Sequence, residues 1–491
     1  MNSLKMGSEE DIESFYINRD GSSFLEPYAL ITLWPISRLL WCCLKLYLLR
    51  FTNYAPAYIE FITLFTPFTL AVTLLQNYVY YLVIGLALIT WTLLLRLLIS
   101  GEPLLRLISD KKVSNALEPR GLLSSLLATL MLCVTVCILC VDFPIFPRRG
   151  AKTFDTGFSI MDAGVGAFIA FSGAVSPEAK HSVESSTDRT IKTKLGLIGR
   201  TLSSSIPLII LSCLRLFMIR HFGYREITEE YGLHLNFFAV LAAVKLISCF
   251  VYCIVGRRIK LNYLGIALIV VYQIFLNTYA MDNIVHNESR SNYFMANKEG
   301  FLTIIGLTGY HLVYTRLQLI IDDASKTHKR YGITQTLKAL LRLAVPAIVG
   351  LIVMHNFVQP SSRKISNAAY ICWSACMVIF LLGCEVTVNS GIAALQRRYH
   401  NVDDLGSKIY RSFSQNAMPL FLLANILTGA INLTFSTNTM ATLPSLVTII
   451  VYLMTLSVVA YQLLLRGYDI RSTTLVSFAS SRNIKSASKV E

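Results

Sequence analysis

The sequence predicts an all-α membrane protein with about thirteen membrane-spanning helices. Hydrophobic residues make up 54% of the 491-residue chain and charged residues only 15%, whereas soluble domains carry about 25% charged residues. The mean hydropathy is +0.55. The apolar residues also fall into separate runs of about 20 residues, the length that a helix needs to cross a bilayer. These three observations exclude soluble, disordered and disulfide-rich classes.

Thirteen apolar runs follow one another between residues 28 and 465. They divide the chain into an N-terminal segment 1–27, a polytopic region 28–465 and a basic tail 466–491. The second and third runs are predicted to form a helical hairpin, because residues 76–79 alone separate them. The fifth is short and weak. The predicted spans are 28–44, 58–75, 80–95, 121–141, 158–174, 201–217, 233–255, 263–280, 300–320, 339–356, 368–390, 418–435 and 445–465.

The positions of Lys and Arg predict the orientation of these spans. With a lumenal N-terminus, the seven cytosolic segments hold 28 basic residues and the seven lumenal segments hold 11. Cytosolic loops carry the basic excess in membrane proteins, so the N-terminus is expected in the lumen and the C-terminus in the cytosol. Asn287 lies in a sequon of a predicted lumenal loop and is a candidate glycosylation site. A second sequon, at Asn432, lies at the end of a span.

Several function classes have no support in the sequence. The net charge of +15 comes from loops that set orientation, and no basic cluster with interleaved aromatic residues suggests nucleic-acid binding. All 11 cysteines lie in apolar runs, where they are expected to pack as small hydrophobic residues. No metal site is expected, because no group of four ligands is apparent. Walker, HExxH and serine-elbow motifs are absent from the sequence.

The loop DFPIFPRRGAK, residues 142–152, is the strongest candidate for chemistry. Asp142 begins it at the membrane edge, and two prolines prevent a helix from continuing. Three basic side chains follow, Arg148, Arg149 and Lys152. A partly desolvated carboxylate beside cations suits a general base that stays ionised. The alternative is an interfacial cap, in which the basic residues contact lipid headgroups.

Polar residues in or beside four other predicted spans are further candidates for substrate contact. Ionisable groups inside a membrane are costly and often functional. The alternatives are close helix packing, helix capping, headgroup contact and hydrogen bonds between helices; Asn425, for example, is expected to be buried at mid-span. These candidates are Asp162, Glu230, His234, Asn236, Asn297, Glu299 and Asn425.

Five of these stretches together resemble a known family. DFPIFPRR-x-AK, GFSIMDAGVGAF, TEEYGLHLNFF, ANKEG and LFLLANILTG occur in this order between residues 142 and 435. The same ordered set is similar to the inositol acyltransferases of GPI-anchor synthesis, which include animal PIG-W proteins and fungal GPI-anchored wall transfer proteins. The clearest departure is Gly150, where the family usually has a bulky residue.

The resemblance implies an enzyme of the endoplasmic reticulum membrane. Its family transfers a fatty acyl chain from acyl-CoA to the inositol 2-hydroxyl of glucosaminyl-phosphatidylinositol, with acyl-CoA as co-substrate and no other cofactor. It also implies that Asp142 and Lys152 carry the catalysis. Asp142 is then the candidate base and Lys152 the partner of the developing oxyanion. Arg148 and Arg149 are predicted to bind a phosphate.

Two other classes of function remain open from the residues alone. The first is a secondary transporter or lipid scramblase, in which Asp162, His311 and Asn425 line a pathway through the membrane. The second is a structural subunit of a larger membrane complex. Neither explains why unusual polar residues concentrate in the segments predicted to face the lumen.

Overall fold

The structure is a computed structural model that describes residues 19–52, 56–99, 119–179, 191–222, 230–256, 259–285, 289–327, 332–402 and 404–469. The described residues are predominantly helical and contain no strand, which confirms the all-α fold class. Eleven of their helices are long and apolar enough to cross a membrane. The candidate glycosylation site Asn287 and most of the basic tail lie outside the described residues.

Each of the thirteen predicted spans coincides with a helix. These are α1 (Glu26–Thr52), α2 (Ala57–Ala71), α3 (Val79–Ile99), α4 (Pro119–Cys140), α5 (Ile160–Ala174), α6 (Ile191–Phe222), α7 (Phe237–Val255), α8 (Leu261–Phe275), α10 (Lys298–Tyr314), α12 (Gly332–Val353), α13 (Ala368–Arg398), α15 (Ala417–Thr434) and α16 (Thr442–Leu465). The number of helices that cross the bilayer stays a prediction, because α2 and α10 are not among the eleven that are long and apolar enough to do so.

Three short helices were not predicted: α9 (Tyr293–Ala296), α11 (Leu317–Thr327) and α14 (Lys408–Gln415). They are too short or too polar to be read as spans. The chain also continues α8 and α12 as π-helices, Leu276–Val285 and Met354–Val358.

Helices α4, α5, α10 and α13 form the centre of the bundle, whereas α3, α12 and α15 lie mainly at its surface. Small residues of α5 allow the close approach of its neighbours. A Cβ atom at Gly166 would collide with the hydroxyl group of Ser374, and one at Gly173 with the carbonyl oxygen of His311. Gly166 and Gly173 therefore let α13 and α10 pack closely against α5.

A buried ion pair joins α1 to α13. Arg38 Nη1 lies 2.7 Å from Glu385 Oε2, and the carboxylate is fully buried. The other carboxylate oxygen, Oε1, accepts hydrogen bonds from the hydroxyl groups of Thr129 (2.8 Å) and Tyr410 (2.6 Å). A buried charge is tolerated when it is paired and hydrogen-bonded in this way, so this pair ties α1, α4, α13 and α14 together.

The segments predicted to be lumenal meet at one face of the bundle. They are joined by bonds between Ser22 and Phe158, Arg149 and Gln76, Lys152 and Glu230, His234 and Asn297, Asp162 and Arg363, and Asp142 and Asn432. Segments predicted to be cytosolic meet at the opposite face, where Arg398 bonds to Leu98 and Asn416 to Tyr468. The alternation of the spans agrees with the structure; which face is lumenal stays a prediction.

Candidate active site

The loop after α4 is held in a compact shape by buried aromatic rings and by Arg148. Phe143 and Phe146 are 0% and 1% exposed, so they anchor the loop in the protein interior. Arg148 Nη2 donates hydrogen bonds to the carbonyl oxygens of Val141 (2.9 Å), Phe143 (2.9 Å) and Phe146 (3.0 Å). The two prolines of the loop forbid a helix here, and the arginine fixes the non-helical path instead.

Arg149 joins the loop to the start of α1 and to the hairpin between α2 and α3. Its Nε lies 2.9 Å from Glu26 Oε1, and its Nη2 donates to the carbonyl oxygen of Gln76 at 2.7 Å. Both arginines that the sequence proposes as phosphate ligands thus make hydrogen bonds to the protein. Their role in phosphate binding stays a prediction, and the geometry favours a role in holding the loop.

Asp142 lies at the end of α4 and contacts the end of α15. Asn432 Nδ2 donates a hydrogen bond to Asp142 Oδ2 (2.8 Å), and Thr437 Oγ1 lies 3.1 Å from Asn432 Oδ1. Burial raises the pKa of Asp142 to about 6, although the hydrogen bond from Asn432 and the charge of Arg148 both lower it. The carboxylate is therefore ionised at neutral pH and is a stronger base than an exposed aspartate.

Lys152 has a different partner. Its Nζ lies 2.7 Å and 2.9 Å from the two carboxylate oxygens of Glu230. Burial lowers the pKa of Lys152; Glu230 opposes this shift, and the charges of Arg363 and Arg215 add to it. Burial alone would raise the pKa of Glu230, but the adjacent Lys152 and Arg363 outweigh it, and that pKa falls to about 2. Glu230 therefore keeps its negative charge across the physiological pH range and can pair with Lys152 whenever the lysine is protonated.

Asp162 organises the residues that follow Lys152. Its Oδ2 accepts hydrogen bonds from the hydroxyl group (2.7 Å) and the backbone N–H (3.1 Å) of Thr153, and its Oδ1 lies 2.7 Å from Arg363 Nε. The side chain of Ser159 accepts from the backbone N–H of Asp162 and caps α5. Asp162 thus fixes Thr153, the neighbour of Lys152, and Arg363 in one buried network.

Three of the remaining candidates lie close together beside Glu230. The amide oxygen of Asn297 accepts a hydrogen bond from the backbone N–H of His234 (2.7 Å), and its Nδ2 lies 3.2 Å from His234 Nδ1. Asn236 caps α7 by accepting from the backbone N–H groups of the next turn, and its Nδ2 donates to the carbonyl oxygen of Ser212. These hydrogen bonds join the segment that follows Glu230 to Asn297 and to α6.

Two further candidates lie elsewhere. Glu299 is paired with Arg290 at 2.9 Å. The expectation that Asn425 is buried at mid-span is wrong: its side chain is exposed on α15 and donates to the carbonyl oxygen of Phe421, one turn earlier. On an outer helix, an asparagine amide can find its hydrogen-bond acceptor in the backbone of its own helix, so it needs no partner on a neighbouring helix.

Sequence reasoning missed two residues that the structure brings to the site, Asn432 and Arg363. Asn432 attracts attention in the sequence as part of a sequon. Arg363 is one of the few basic residues in a predicted lumenal segment, which is the signal that could have found it. Among the described residues, no group of three His, Cys, Asp or Glu side chains could hold a metal ion.

The fold and this polar face define a multi-pass membrane protein with a buried carboxylate and a lysine–glutamate pair at one end of its helical bundle. Comparison with protein families shows which family the chain belongs to. Residues 8–463 match the family model described as GWT1. The chain belongs to the GWT1 family.

Similar proteins of other organisms match nearly end to end. The phosphatidylinositol-glycan biosynthesis class W protein of Dictyostelium discoideum is 27% identical, over 94% of this chain and 99% of that protein. The glucosaminyl-phosphatidylinositol-acyltransferase PIGW of Mus musculus is 26% identical, over 95% and 100%. The GPI-anchored wall transfer protein 1 of Aspergillus fumigatus is 28% identical, over 87% and 91%.

Proposed function

We propose that this protein acylates the inositol ring of glucosaminyl-phosphatidylinositol during GPI-anchor synthesis, in the membrane of the endoplasmic reticulum. The acyl donor in this proposal is a fatty acyl-CoA. The observation that carries the proposal is Asp142, a buried carboxylate with a raised pKa that Asn432 holds in place at the membrane face. Support also comes from the mouse relative, whose name states acyl transfer to glucosaminyl-phosphatidylinositol.

In the proposed reaction, Asp142 acts as the general base. It accepts the proton of the inositol 2-hydroxyl group while the hydroxyl oxygen attacks the thioester carbonyl carbon. The C–S bond of the tetrahedral intermediate then breaks, and the CoA thiolate leaves. Because a thiolate is a weak base, its departure needs little help, and the proton on Asp142 returns to it or to water. The products are an inositol ester and free CoA.

Lys152 supplies the positive charge for the oxyanion in this proposal. A fixed cation in a partly dry site stabilises charge that develops in the transition state. The bidentate contact with Glu230 holds the ammonium group in one position.

The other candidate residues shape the substrate pocket. Asp162 fixes the segment next to Lys152, and Glu230 orients the lysine itself. His234, Asn236 and Asn297 stiffen the wall behind Glu230, where the glucosaminyl group has polar partners within reach. Glu299 and Asn425 contact Arg290 and Phe421 instead, and neither bonds to Asp142 or Lys152.

Acyl transfer in purified protein tests the proposal against the transporter and the structural subunit. The protein is placed in lipid nanodiscs with glucosaminyl-phosphatidylinositol and palmitoyl-CoA, and the acylated lipid is measured by mass spectrometry. We expect transfer by the native protein and almost none by the Asp142→Asn variant. Absence of transfer, together with uptake or scrambling of lipid by the protein in vesicles, would support the transporter instead.

A further inference from the structure

Arg363 is a buried arginine whose side chain is only partly used by the protein. It lies in the segment between the second π-helix and α13, and it is 3% exposed. Its Nε lies 2.7 Å from Asp162 Oδ1. Its Nη1 is buried and has no acceptor at hydrogen-bond geometry among the residues that the structure describes; the ring of Tyr231 lies beside the guanidinium, 5.9 Å from its central carbon. Such an N–H group is costly to leave without an acceptor.

The backbone around Arg363 is held in an unusual conformation. Ser366 has φ +46°, the left-handed region that residues other than glycine rarely adopt. Its backbone N–H and its hydroxyl group both donate to the carbonyl oxygen of Arg363 (3.1 and 3.2 Å). The amide oxygen of Asn367 accepts from the backbone N–H of Ser362 at 3.1 Å. Strained backbone of this kind is typical of segments that position a functional side chain.

The charges around Arg363 do not balance. The cations Lys152 and Arg215 lie close enough that, with Arg363, they affect the ionisation of Glu230. The carboxylates in the same network are Glu230 and Asp162. Among the residues that the structure describes, these three positive charges face two negative ones, so one more negative charge can be accommodated here. A phosphodiester carries a single negative charge at neutral pH and accepts the charge-assisted hydrogen bonds that a guanidinium donates.

We propose that Arg363 binds the phosphodiester group of the lipid substrate through its free Nη1. This inference rests on the proposed function. In an inositol phospholipid the phosphodiester is attached to the ring carbon next to the 2-hydroxyl group, so a phosphate site must lie beside the reacting centre. The phosphates of CoA are separated from the thioester by the long pantetheine arm, and they would lie farther away. Arg363 thereby takes the role that the sequence suggested for Arg148 and Arg149.

Kinetics with two substrates test this assignment. The first is glucosaminyl-phosphatidylinositol, and the second is its analogue with an uncharged methylphosphonate diester. We expect Arg363→Gln to raise the KM for the charged substrate about 10- to 100-fold, the range for loss of a hydrogen bond to a charged group. The KM for the uncharged analogue should rise far less, because it has no charge for Arg363 to bind. Equal losses with both substrates would mean a purely structural role and would overturn the proposal.

The Arg38→Gln variant is the matched control, because it breaks the other buried arginine–carboxylate pair. Whatever it does to the amount of folded protein, the ratio of the two KM values should remain that of the native enzyme. If Arg363→Gln does not accumulate, Arg363→Lys keeps the charge but loses the planar fork, and an intermediate rise in KM is expected. Equal KM values of the native enzyme for both substrates would refute the proposal without any variant.

Two further measurements separate a lipid phosphodiester site from a CoA phosphate site, and separate binding from catalysis. Comparison of palmitoyl-CoA with palmitoyl-pantetheine tests the donor: a rise in the KM for palmitoyl-CoA alone in Arg363→Gln would place the CoA phosphates at Arg363 and overturn the assignment. Equilibrium binding of the two lipids, measured by thermal shift, is independent of turnover. If the native protein transfers no acyl group yet prefers the charged lipid in binding, the proposed function fails and the phosphodiester site stands. Equal binding of both lipids would remove the site as well.

Discussion

Asn432 donates a hydrogen bond of 2.8 Å to Asp142 across a separation of 290 residues in the sequence. The bond joins the second residue after α4 to the end of α15 and orients the proposed base. It also uses the side-chain nitrogen that N-glycosylation would modify, so in the folded protein the sequon at Asn432 serves the site.

Asn432→Leu is expected to lower kcat by about tenfold, the cost of a lost hydrogen bond to a charged group. In the native protein the hydrogen bond from Asn432 lowers the pKa of Asp142. Its loss should raise that pKa and move the acid limb of the pH–rate profile to higher pH. Thr434→Val is the matched control: it destroys the same sequon, while the hydroxyl that it removes bonds within α15 to Ala430. A similar loss in both variants would point to glycosylation.

Asp142→Asn should abolish acyl transfer while the protein still accumulates. The amide keeps the shape of the side chain but cannot accept the proton, and loss of a general base costs about 10²–10⁴-fold in rate. Turnover measured on purified protein, normalised to the folded fraction, gives the answer. Near-normal turnover would move the search for the base to Glu230 or His311.

Lys152→Met is expected to be as damaging as the change at Asp142, and Lys152→Arg should restore only part of the rate. A lysine presents a compact charge, whereas an arginine presents a wide planar fork that a small oxyanion site would not fit. Separate kcat and KM values decide between two roles. If only KM rises in Lys152→Met, then Lys152 binds the headgroup or phosphate, and the oxyanion role is wrong.

The pH dependence of kcat/KM should be bell-shaped. The pKa of Asp142 is about 6, so the rate should be half-maximal near that pH, level off about one pH unit higher and fall about tenfold per pH unit well below it. Glu230 has a pKa of about 2 and stays ionised throughout. At high pH the rate should decline as Lys152 loses its proton. This decline should begin at a lower pH than for an ordinary lysine, since burial lowers the pKa of Lys152. This alkaline limb should disappear in Lys152→Arg; its persistence there would exclude Lys152 as its source.

The orientation can be tested with glycosylation tags at each end of the chain. An N-terminal tag should be modified and a C-terminal tag should remain unmodified, because the 28 and 11 basic residues place the N-terminus in the lumen. Asn287 should be glycosylated in the native chain and not in Asn287→Gln. Modification of the C-terminal tag would invert the topology and place Asp142 at the cytosolic face.

The fold was predictable from sequence to a greater degree than the site. A membrane span is recognised from a local run of apolar residues, and each of the thirteen runs is a helix. Helix α14 was missed because it is short and polar, although its Tyr410 completes the buried network around Glu385. A polar residue that turns inward in a short helix leaves no local pattern in a single sequence.

The partners in the site could not be predicted, because they are set by contacts between distant helices. Asp142 and Lys152 were identified, but their contacts with Asn432 and Glu230 depend on how α15 and the segment before α7 pack. Arg148 looked available for a phosphate, yet it bonds to the carbonyl oxygens of its own loop. The effect of Gly150 also depends on such a contact. A Cβ atom at Gly150 would lie 3.1 Å from the ring of Phe146. That ring occupies the space in which the bulky residue of the family was expected.

The ion pair between Asp162 and Arg363 has a consequence for how the protein is made. Asp162 precedes Arg363 by 201 residues in the sequence. During synthesis α5 therefore enters the membrane with a carboxylate whose cationic partner has not yet been made. An unpaired acid in a bilayer is costly, and the early helices therefore stay incompletely packed until α13 follows. Chains that stop short of residue 363 should be held by membrane chaperones and degraded, while those that pass it become resistant to proteolysis.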